Sequence, residues 1–557
     1  MNATHHWPKH FYLVASGQTP PHHKPTPENM GSKAHNLLRM ASIGLPVPAA
    51  LVIGTHFTRS PEDCMLPLFS VGLPALESAT DMVFGDPRQP LIVSVRSGAP
   101  VSMPGMMETL LNVGLCDATL PGLLRQTGNP RLVWDAYRRL IATYGEVVAG
   151  LPGALFEEEI RRTTQGRDER LLDFSDLRDL SRRFLAMYLE HAGEPFPQEV
   201  RAQLSGAVHA VFASWQLPKA KSYREMHGID DAMGTAVTIQ RMVFGNSGCH
   251  SGAGVGFTRD PTSGTNQMWV DFLANAQGED VVAGQRNAHG HAVLAQAAPD
   301  AWNELQATAL RLEQAFQDMQ DFEFTVQDGA LYMLQTRSGK RTPLASARIA
   351  LDMLDEGLIK AEQAQERTAS LQDADLATQR LVTQDAESSE AGPVAPLAQA
   401  TSACNGVVSG EIALDAQRVQ ERSAAGVAVV LVRQDAQTSD IAALDAAAGL
   451  LTHRGARTSH AAVVARQMNR VCLVACDTLH IDEARRVVRL GDRDFVEGDL
   501  ITLDGNEGLV YAGQVAAVNV VDEVLLARLA ALREVSGPGP AQKPGKHKHQ
   551  HPHQHHA

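Results

Sequence analysis

Gly449-Leu-Leu-Thr-His-Arg-Gly-Ala-Arg-Thr-Ser-His-Ala-Ala-Val-Val-Ala-Arg466 passes from a short apolar run, through a glycine-containing loop, into a run of helix-compatible residues. Thr458 and Ser459 are of the types that cap helix N-termini, so the pattern predicts a strand, a loop and a helix from about Ala461. His460 then stands at the helix entrance, where unpaired backbone N–H groups and the positive end of the helix dipole stabilise an anionic group. An imidazole is largely neutral near pH 7 and attacks phosphorus without a separate base, which makes His460 a candidate nucleophile for phosphoryl transfer. A histidine met alone is more often a structural residue.

Working outward, Asp321-Phe-Glu-Phe-Thr325 and Leu331-Tyr-Met-Leu-Gln-Thr-Arg337, separated by Asp328-Gly329, read as strand, turn and strand. Alternation puts Asp321 and Glu323 on one face of the first strand, and Gln335 and Arg337 on one face of the second. Hard carboxylate oxygens suit Mg2+ and a guanidinium suits the charge on a moving phosphoryl group, although a solvated hairpin face shows the same pattern. In Ser94-Val-Arg-Ser-Gly-Ala-Pro-Val-Ser-Met-Pro-Gly-Met-Met-Glu-Thr109, Arg96 follows an apparent strand, and Gly98 and Gly105 permit close backbone approach to a polyanion. An ordinary strand and Pro-Gly turn would read the same way.

Together these motifs resemble the pyruvate phosphate dikinase family, in the family's domain order, from about Asn29 to Gly513. The His460 segment is similar to the mobile phosphohistidine domain that the family shares with phosphoenolpyruvate synthase, with Gly455-Ala456 where paired glycines are usual. Arg457 is shared with the synthase relatives, and a cation there suits a neighbouring phosphoryl group. Gln335-Thr-Arg-Ser-Gly-Lys-Arg-Thr342 resembles the end of the family's ATP-grasp domain. Asn29-Met-Gly-Ser-Lys-Ala-His-Asn-Leu37 resembles its glycine-rich entrance to the first helix, with Ser32 and Ala34 in place of glycines. Thr235–Gly245 and Ser251–Asp260 resemble its nucleotide-contacting strand and flexible phosphate loop, where a glycine-rich hairpin is the plainer alternative.

The resemblance implies an α/β (mixed α+β) multidomain fold, an ATP-grasp-like nucleotide-binding domain followed by a swivelling phosphohistidine domain. It implies ATP and Mg2+, with His460 and Arg337 catalytic and Asp321 and Glu323 holding the metal. Lys33, Arg96, Gly105, Gln240, Gly252, Gly254 and Gln335 then bind nucleotide or phosphate, and Thr458 stands where some dikinases are regulated by phosphorylation. The implied reaction moves the β-phosphoryl group of ATP to His460, with inorganic phosphate taking the γ-phosphoryl group, so that AMP and pyrophosphate leave. The residues after Gly513 are too few for the roughly 250-residue barrel that would bind pyruvate. The expectation is a phosphoryl donor that serves a separate phosphoenolpyruvate/pyruvate-binding chain and does not complete the dikinase reaction alone. Transfer to another small molecule, as in the related rifampicin phosphotransferases, and an ATP-sensing regulatory homologue are the alternatives.

Pattern and composition divide the chain into 1–342, 343–403 as a helical connector and hinge, 404–520, and 521–557 as a short helix and histidine-rich tail, and the resemblance implies that 1–342 is the ATP-grasp-like nucleotide-binding domain and 404–520 the phosphohistidine domain. The 557 residues are 44% hydrophobic and 20% charged, enough for two to four domains with their own cores. A net charge of −14 opposes nonspecific binding to nucleic acid or an anionic membrane, so neither is an expected partner. Six scattered cysteines, a lack of long apolar runs and no secretory leader predict a cytoplasmic protein with reduced thiols and no zinc site. The tail histidines read as a solvated or purification-like segment able at most to bind divalent metal weakly.

Overall fold

The computed structural model describes residues 6–16, 22–103, 105–282, 290–382 and 394–535. The chain begins with β1 (Phe11–Val14), β2 (Ala50–Ile53), β3 (Val93–Gly98), β4 (Thr109–Val113) and β5 (Ala236–Arg241), antiparallel in the order β1-β2-β5-β3-β4. Between β4 and β5 lies a largely helical stretch. Asn129 caps the helix Pro130–Val147 through the Leu132 N–H at 3.1 Å, with Pro130 at the position where a missing N–H costs nothing. That helix buries Leu140 and Ile141 with Phe184 and Val208 from its neighbours against Val93 and Ile239 of the sheet.

A second sheet follows: β6 (Gly252–Phe257), β7 (Trp269–Ala274), β8 (Gln320–Gln327) and β9 (Ala330–Ser338), antiparallel in the order β7-β6-β8-β9. Helix Ser32–Ser42 places Leu37, Met40 and Ala41 at helical spacing, and they pack with Leu305 and Leu312 of helix Pro299–Phe316 against Phe322, Phe324 and Met333. The two sheets are thus joined by one helix near the N-terminus.

The chain leaves this domain through helices Pro343–Asp355 and Ala361–Thr368 and strand β10 (Ala377–Leu381). The second domain is built on β11 (Ala398–Gln399), β12 (Thr401–Cys404), β13 (Val407–Ala413), β14 (Val429–Arg433), β15 (Gly449–Thr452) and β16 (Val471–Val474). It also holds the separate antiparallel sheet β17 (Leu479–Asp482), β18 (Val487–Leu490) and β19 (Arg493–Val496), then β20 (Leu500–Asp504) and β21 (Leu509–Ala512). Its eight-stranded sheet runs β11-β21-β20-β13-β14-β15-β16-β12, with β13 to β16 parallel. The two edge strands are joined through Ala400 alone, so the sheet curls back on itself. Helices cover one face, where Ala461, Ala462 and Ala465 pack on Leu431 and Leu450. The small sheet covers the other through Leu479, Val488 and Phe495.

Strand β22 (Ala517–Val521) returns antiparallel along β10, Ala377 opposite Val521. Helix Glu523–Glu534 then packs Leu525, Leu529 and Leu532 against Leu351, Met353 and Ile359 of the connector. Two boundaries therefore differ from the sequence expectation. The second domain's sheet takes in residues from Ala398, and the last helix completes the core of the connector, against which its apolar face packs. The hinge residues 383–393 and the histidine-rich tail lie outside the described residues. All six cysteines are free thiols, and among the described residues no helix is long and apolar enough to cross a membrane.

Candidate functional site

The β8–β9 hairpin turns at Asp328 and Gly329, both at positive φ (50° and 83°). Across it Asp321 pairs with Arg337 and Glu323 with Gln335, so the four polar groups share one face. Arg337 Nε donates to Asp321 Oδ2 at 3.0 Å. The opposite wall is brought in by helix Ser32–Ser42. Gly31, at φ 81°, lies so close to Gly98 that a Cβ would overlap the Gly98 carbonyl. At the other side of the helix, Asn36 Nδ2 donates to the Thr336 carbonyl at 3.0 Å. One helix thereby spans both walls and carries Lys33 in its first turn. Ser32 and Ala34, where glycines were expected, fit this regular helix; Ala34 is buried in its core-facing stripe.

Lys33, Arg96, Asp321, Glu323 and Arg337 sit within electrostatic reach of one another. Burial pushes the Glu323 carboxyl up from its ordinary value, Lys33 and Arg96 pull it back down, and Asp321 adds to the rise. Burial pushes the Lys33 ammonium down, Glu323 opposes this, and Arg96 and Arg337 reinforce it. Arg96 Nε is buried without a hydrogen-bond partner among the described residues. An unpaired guanidinium donor beside two more cations is an arrangement that a polyphosphate completes, and the two carboxylates supply the hard oxygens that Mg2+ requires. Gly105 stands in an exposed turn at φ 72°, with open space where a Cβ would point.

Three expected ligands are also engaged within the fold. Gln240 is buried, and its Nε2 donates to the Pro48 carbonyl at 3.0 Å, tying β5 to the chain entering β2. Gly252 and Gly254 are not in a flexible phosphate loop; they lie inside β6, hydrogen-bonded on both edges to β7 and β8. A Cβ on Gly252 would overlap the Phe272 ring and one on Gly254 the Phe324 ring. Their backbone groups are engaged in the sheet, and the missing side chains make room for aromatic rings. The two-residue spacing of Gly252, Gly254 and Gly256, all on one strand face, was the signal for this reading.

On the second domain, Gly455 takes the positive φ of the loop (142°), so buried Ala456 keeps an ordinary backbone conformation. Ser459 is the N-cap residue by backbone angles, without a side-chain capping bond, and His460 is the first helical residue, with its side chain exposed. Partial burial holds its imidazole below the ordinary value, and the charge of Arg337 on the first domain pushes it further. Arg457, expected beside the phosphoryl group, instead turns to Asp271 on β7, Nη2 to Oδ1 at 2.9 Å, and donates to the Val270 carbonyl at 3.2 Å. Thr458 Oγ1 donates to the other Asp271 oxygen at 3.3 Å. Sequence reasoning missed Asp271, which is 3% exposed and 186 positions from its partner, so that no local pattern connects them.

Residues 75–299 and 296–358 match a family model described as pyruvate phosphate dikinase, AMP/ATP-binding domain, and residues 427–508 match PEP-utilising enzyme, mobile domain. The chain is 41% identical over 502 residues to a pyruvate, phosphate dikinase of Clostridium symbiosum, covering 87% of this chain and 56% of that protein. It is 40% identical over 495 residues to a chloroplastic pyruvate, phosphate dikinase of Flaveria pringlei (87% and 51%) and 39% identical over 512 residues to one of Rhizobium meliloti (88% and 56%). The chain thus spans little more than half the length of these curated relatives.

Proposed function

The chain belongs to the pyruvate phosphate dikinase family, and on that premise we propose that it is an ATP-dependent phosphotransferase whose own residues move the β-phosphoryl group of ATP to His460. The observation that carries this reading is that the helix entrance bearing His460 is held on the first domain through Arg457 and Thr458 to Asp271, within reach of the charge of Arg337, which shares one charged cluster with Lys33, Arg96, Asp321 and Glu323. Lys33 and the unpaired Arg96 donor bind phosphate oxygens, and Gln335, beside Glu323, offers an amide to the nucleotide. Asp321 and Glu323 would hold Mg2+, which supplies charge neutralisation between phosphates when bound. With Mg2+ bound, Asp321 would hold the metal, and the Arg337 guanidinium that it now pairs with would be available for the charge on the group in transfer.

Because burial and Arg337 hold the imidazole below its ordinary value, His460 is neutral at physiological pH and presents a lone pair to phosphorus. A new N–P bond forms as the bond from the β-phosphorus to the α,β-bridging oxygen breaks, and AMP leaves. Inorganic phosphate takes the γ-phosphoryl group, which gives pyrophosphate. The histidine domain then passes its phosphoryl group to pyruvate, the acceptor that the relatives' name indicates, held outside the described residues on another chain or another part of the same protein.

The test is incubation of the purified chain with Mg2+ and ATP labelled at the β position, with and without inorganic phosphate, comparing wild type with His460→Ala. Acid-labile label that requires His460 and increases with phosphate is the expected result. ATP binding with no His460-dependent label would overturn the transferase reading in favour of an ATP-sensing protein.

A further inference from the structure

A second arginine of the phosphohistidine domain also reaches the first domain. Arg466, in the last turn of helix His460–Gln467, is fully buried. Its Nη1 donates to the carbonyls of Ala403 at 2.8 Å and Arg457 at 2.6 Å, which ties the loop before His460 to the helix after it. Its Nε and Nη2 have no hydrogen-bond partner among the described residues. The guanidinium is faced instead by aromatic rings of the first domain, 5.1 Å from the ring centre of Phe257 and 5.3 Å from that of Trp269. Trp269 also carries the Arg457 guanidinium, at 4.2 Å. One indole therefore serves both cations that flank His460 in sequence, while Asp271, two residues along β7, takes the charge of Arg457.

A buried guanidinium with unused donors is costly unless something attracts it, and the electron-rich face of an indole is the strongest such partner among aromatic side chains. That attraction has little directionality. It holds the docked domain without a set of hydrogen bonds that must break in register, and on separation both guanidinium groups recover water. We propose that Trp269 is a positioning residue for phosphoryl transfer: its indole, shared by Arg457 and Arg466, holds the second domain where His460 meets the ATP cleft. Asp271 gives the contact its direction, and Trp269 makes burial of Arg466 tolerable in the docked state alone. The inference rests on the phosphohistidine reading, but the docking it describes is measurable without it.

Trp269→Leu, which keeps apolar bulk without the ring face, and Trp269→Phe, which keeps a smaller ring, are compared with wild type in the full chain. The readouts are the initial rate of His460 labelling from β-labelled ATP, the ATP dissociation constant, and the radius of gyration from solution scattering without nucleotide. Trp269→Leu is expected to slow labelling by about tenfold and to expand the protein, with ATP affinity kept to within about twofold and Trp269→Phe close to wild type. Labelling at the wild-type rate in Trp269→Leu overturns the proposal, as does a loss of ATP affinity that accounts for the loss of rate, or a Phe variant as slow as the Leu variant. If wild type itself takes no label, the phosphohistidine reading fails separately. Scattering then decides the docking role, and unchanged dimensions in Trp269→Leu overturn it.

Discussion

The ATP cleft and the docking face lie on the same domain, yet they handle charge in opposite ways. In the cleft, Lys33, Arg96, Asp321, Glu323 and Arg337 crowd together with Arg337–Asp321 as the one ion pair among the five. Glu323 and Lys33 are each pushed toward their neutral forms by burial. At the docking face the charges are matched, Arg457 by Asp271 and Arg466 by aromatic rings. A surface left electrostatically incomplete is built for a charged ligand that arrives and departs, whereas a matched one is built for a protein surface of fixed shape. Under the proposed function the difference separates binding of nucleotide from delivery of the histidine, and the two are expected to respond differently to mutation.

The largest expected effect lies where the two regions meet. Arg337→Gln removes the cation whose charge reaches His460 and that the proposed mechanism sets on the transferring group, and labelling is expected to fall by about two to three orders of magnitude. If labelling persists at the wild-type rate, the cleft and the histidine are not joined through Arg337. Asp271→Asn affects docking alone: leaving Arg457 without its carboxylate slows labelling by roughly ten- to a hundredfold while nucleotide titration gives an unchanged ATP affinity. A parallel drop in ATP affinity would erase the distinction between the regions.

Thr458→Glu sharpens the comparison from the other side. It sets a carboxylate where the hydroxyl now donates to Asp271, so labelling drops by about tenfold through like-charge repulsion, and ATP binding is kept. An unchanged labelling rate would remove the basis for regulation at this threonine. Gly254→Ala leaves both regions' chemistry in place and tests the reassignment of β6. The added methyl meets Phe324, which lowers stability by about 1–3 kcal/mol in a thermal melt without selective loss of ATP affinity. Weaker ATP binding at unchanged stability would restore the phosphate-loop reading.

The smallest effect is on pH. His460 is pushed below 6.5, so its neutral, nucleophilic form persists as pH falls past that value, and the acid limb of the labelling profile lies under 6.5. A limb above 6.5 would show that His460 reacts from surroundings other than the docked ones.

Much of this was legible along the chain because the rules involved are local. The alternation Asp321, Glu323 and Gln335, Arg337 states a shared face before any coordinates exist, and the hairpin keeps it. Helix entry at His460 follows from the residues just before it. Elsewhere two physical causes share one sequence appearance. Glycines that cradle phosphate and glycines that admit phenylalanine rings look alike until the neighbouring strands are known, and Gly252 and Gly254 are the second kind. Gln240 lies on the expected strand, and its amide also bonds the Pro48 carbonyl, brought in by a turn of chain some 190 residues earlier.

The sequence by itself determined the class of fold, the hairpin that carries the carboxylates, the strand–loop–helix that carries His460 and the family to which these motifs belong. Each rests on alternation, capping or backbone freedom within a few residues. Tertiary structure alone decided that Arg457 answers Asp271, that Arg466 and Arg457 share the face of Trp269, and that the final helix completes the core of the connector. Those pairings join residues far apart in the chain, and desolvation assigns a partner to a buried charge only once the domains have come together.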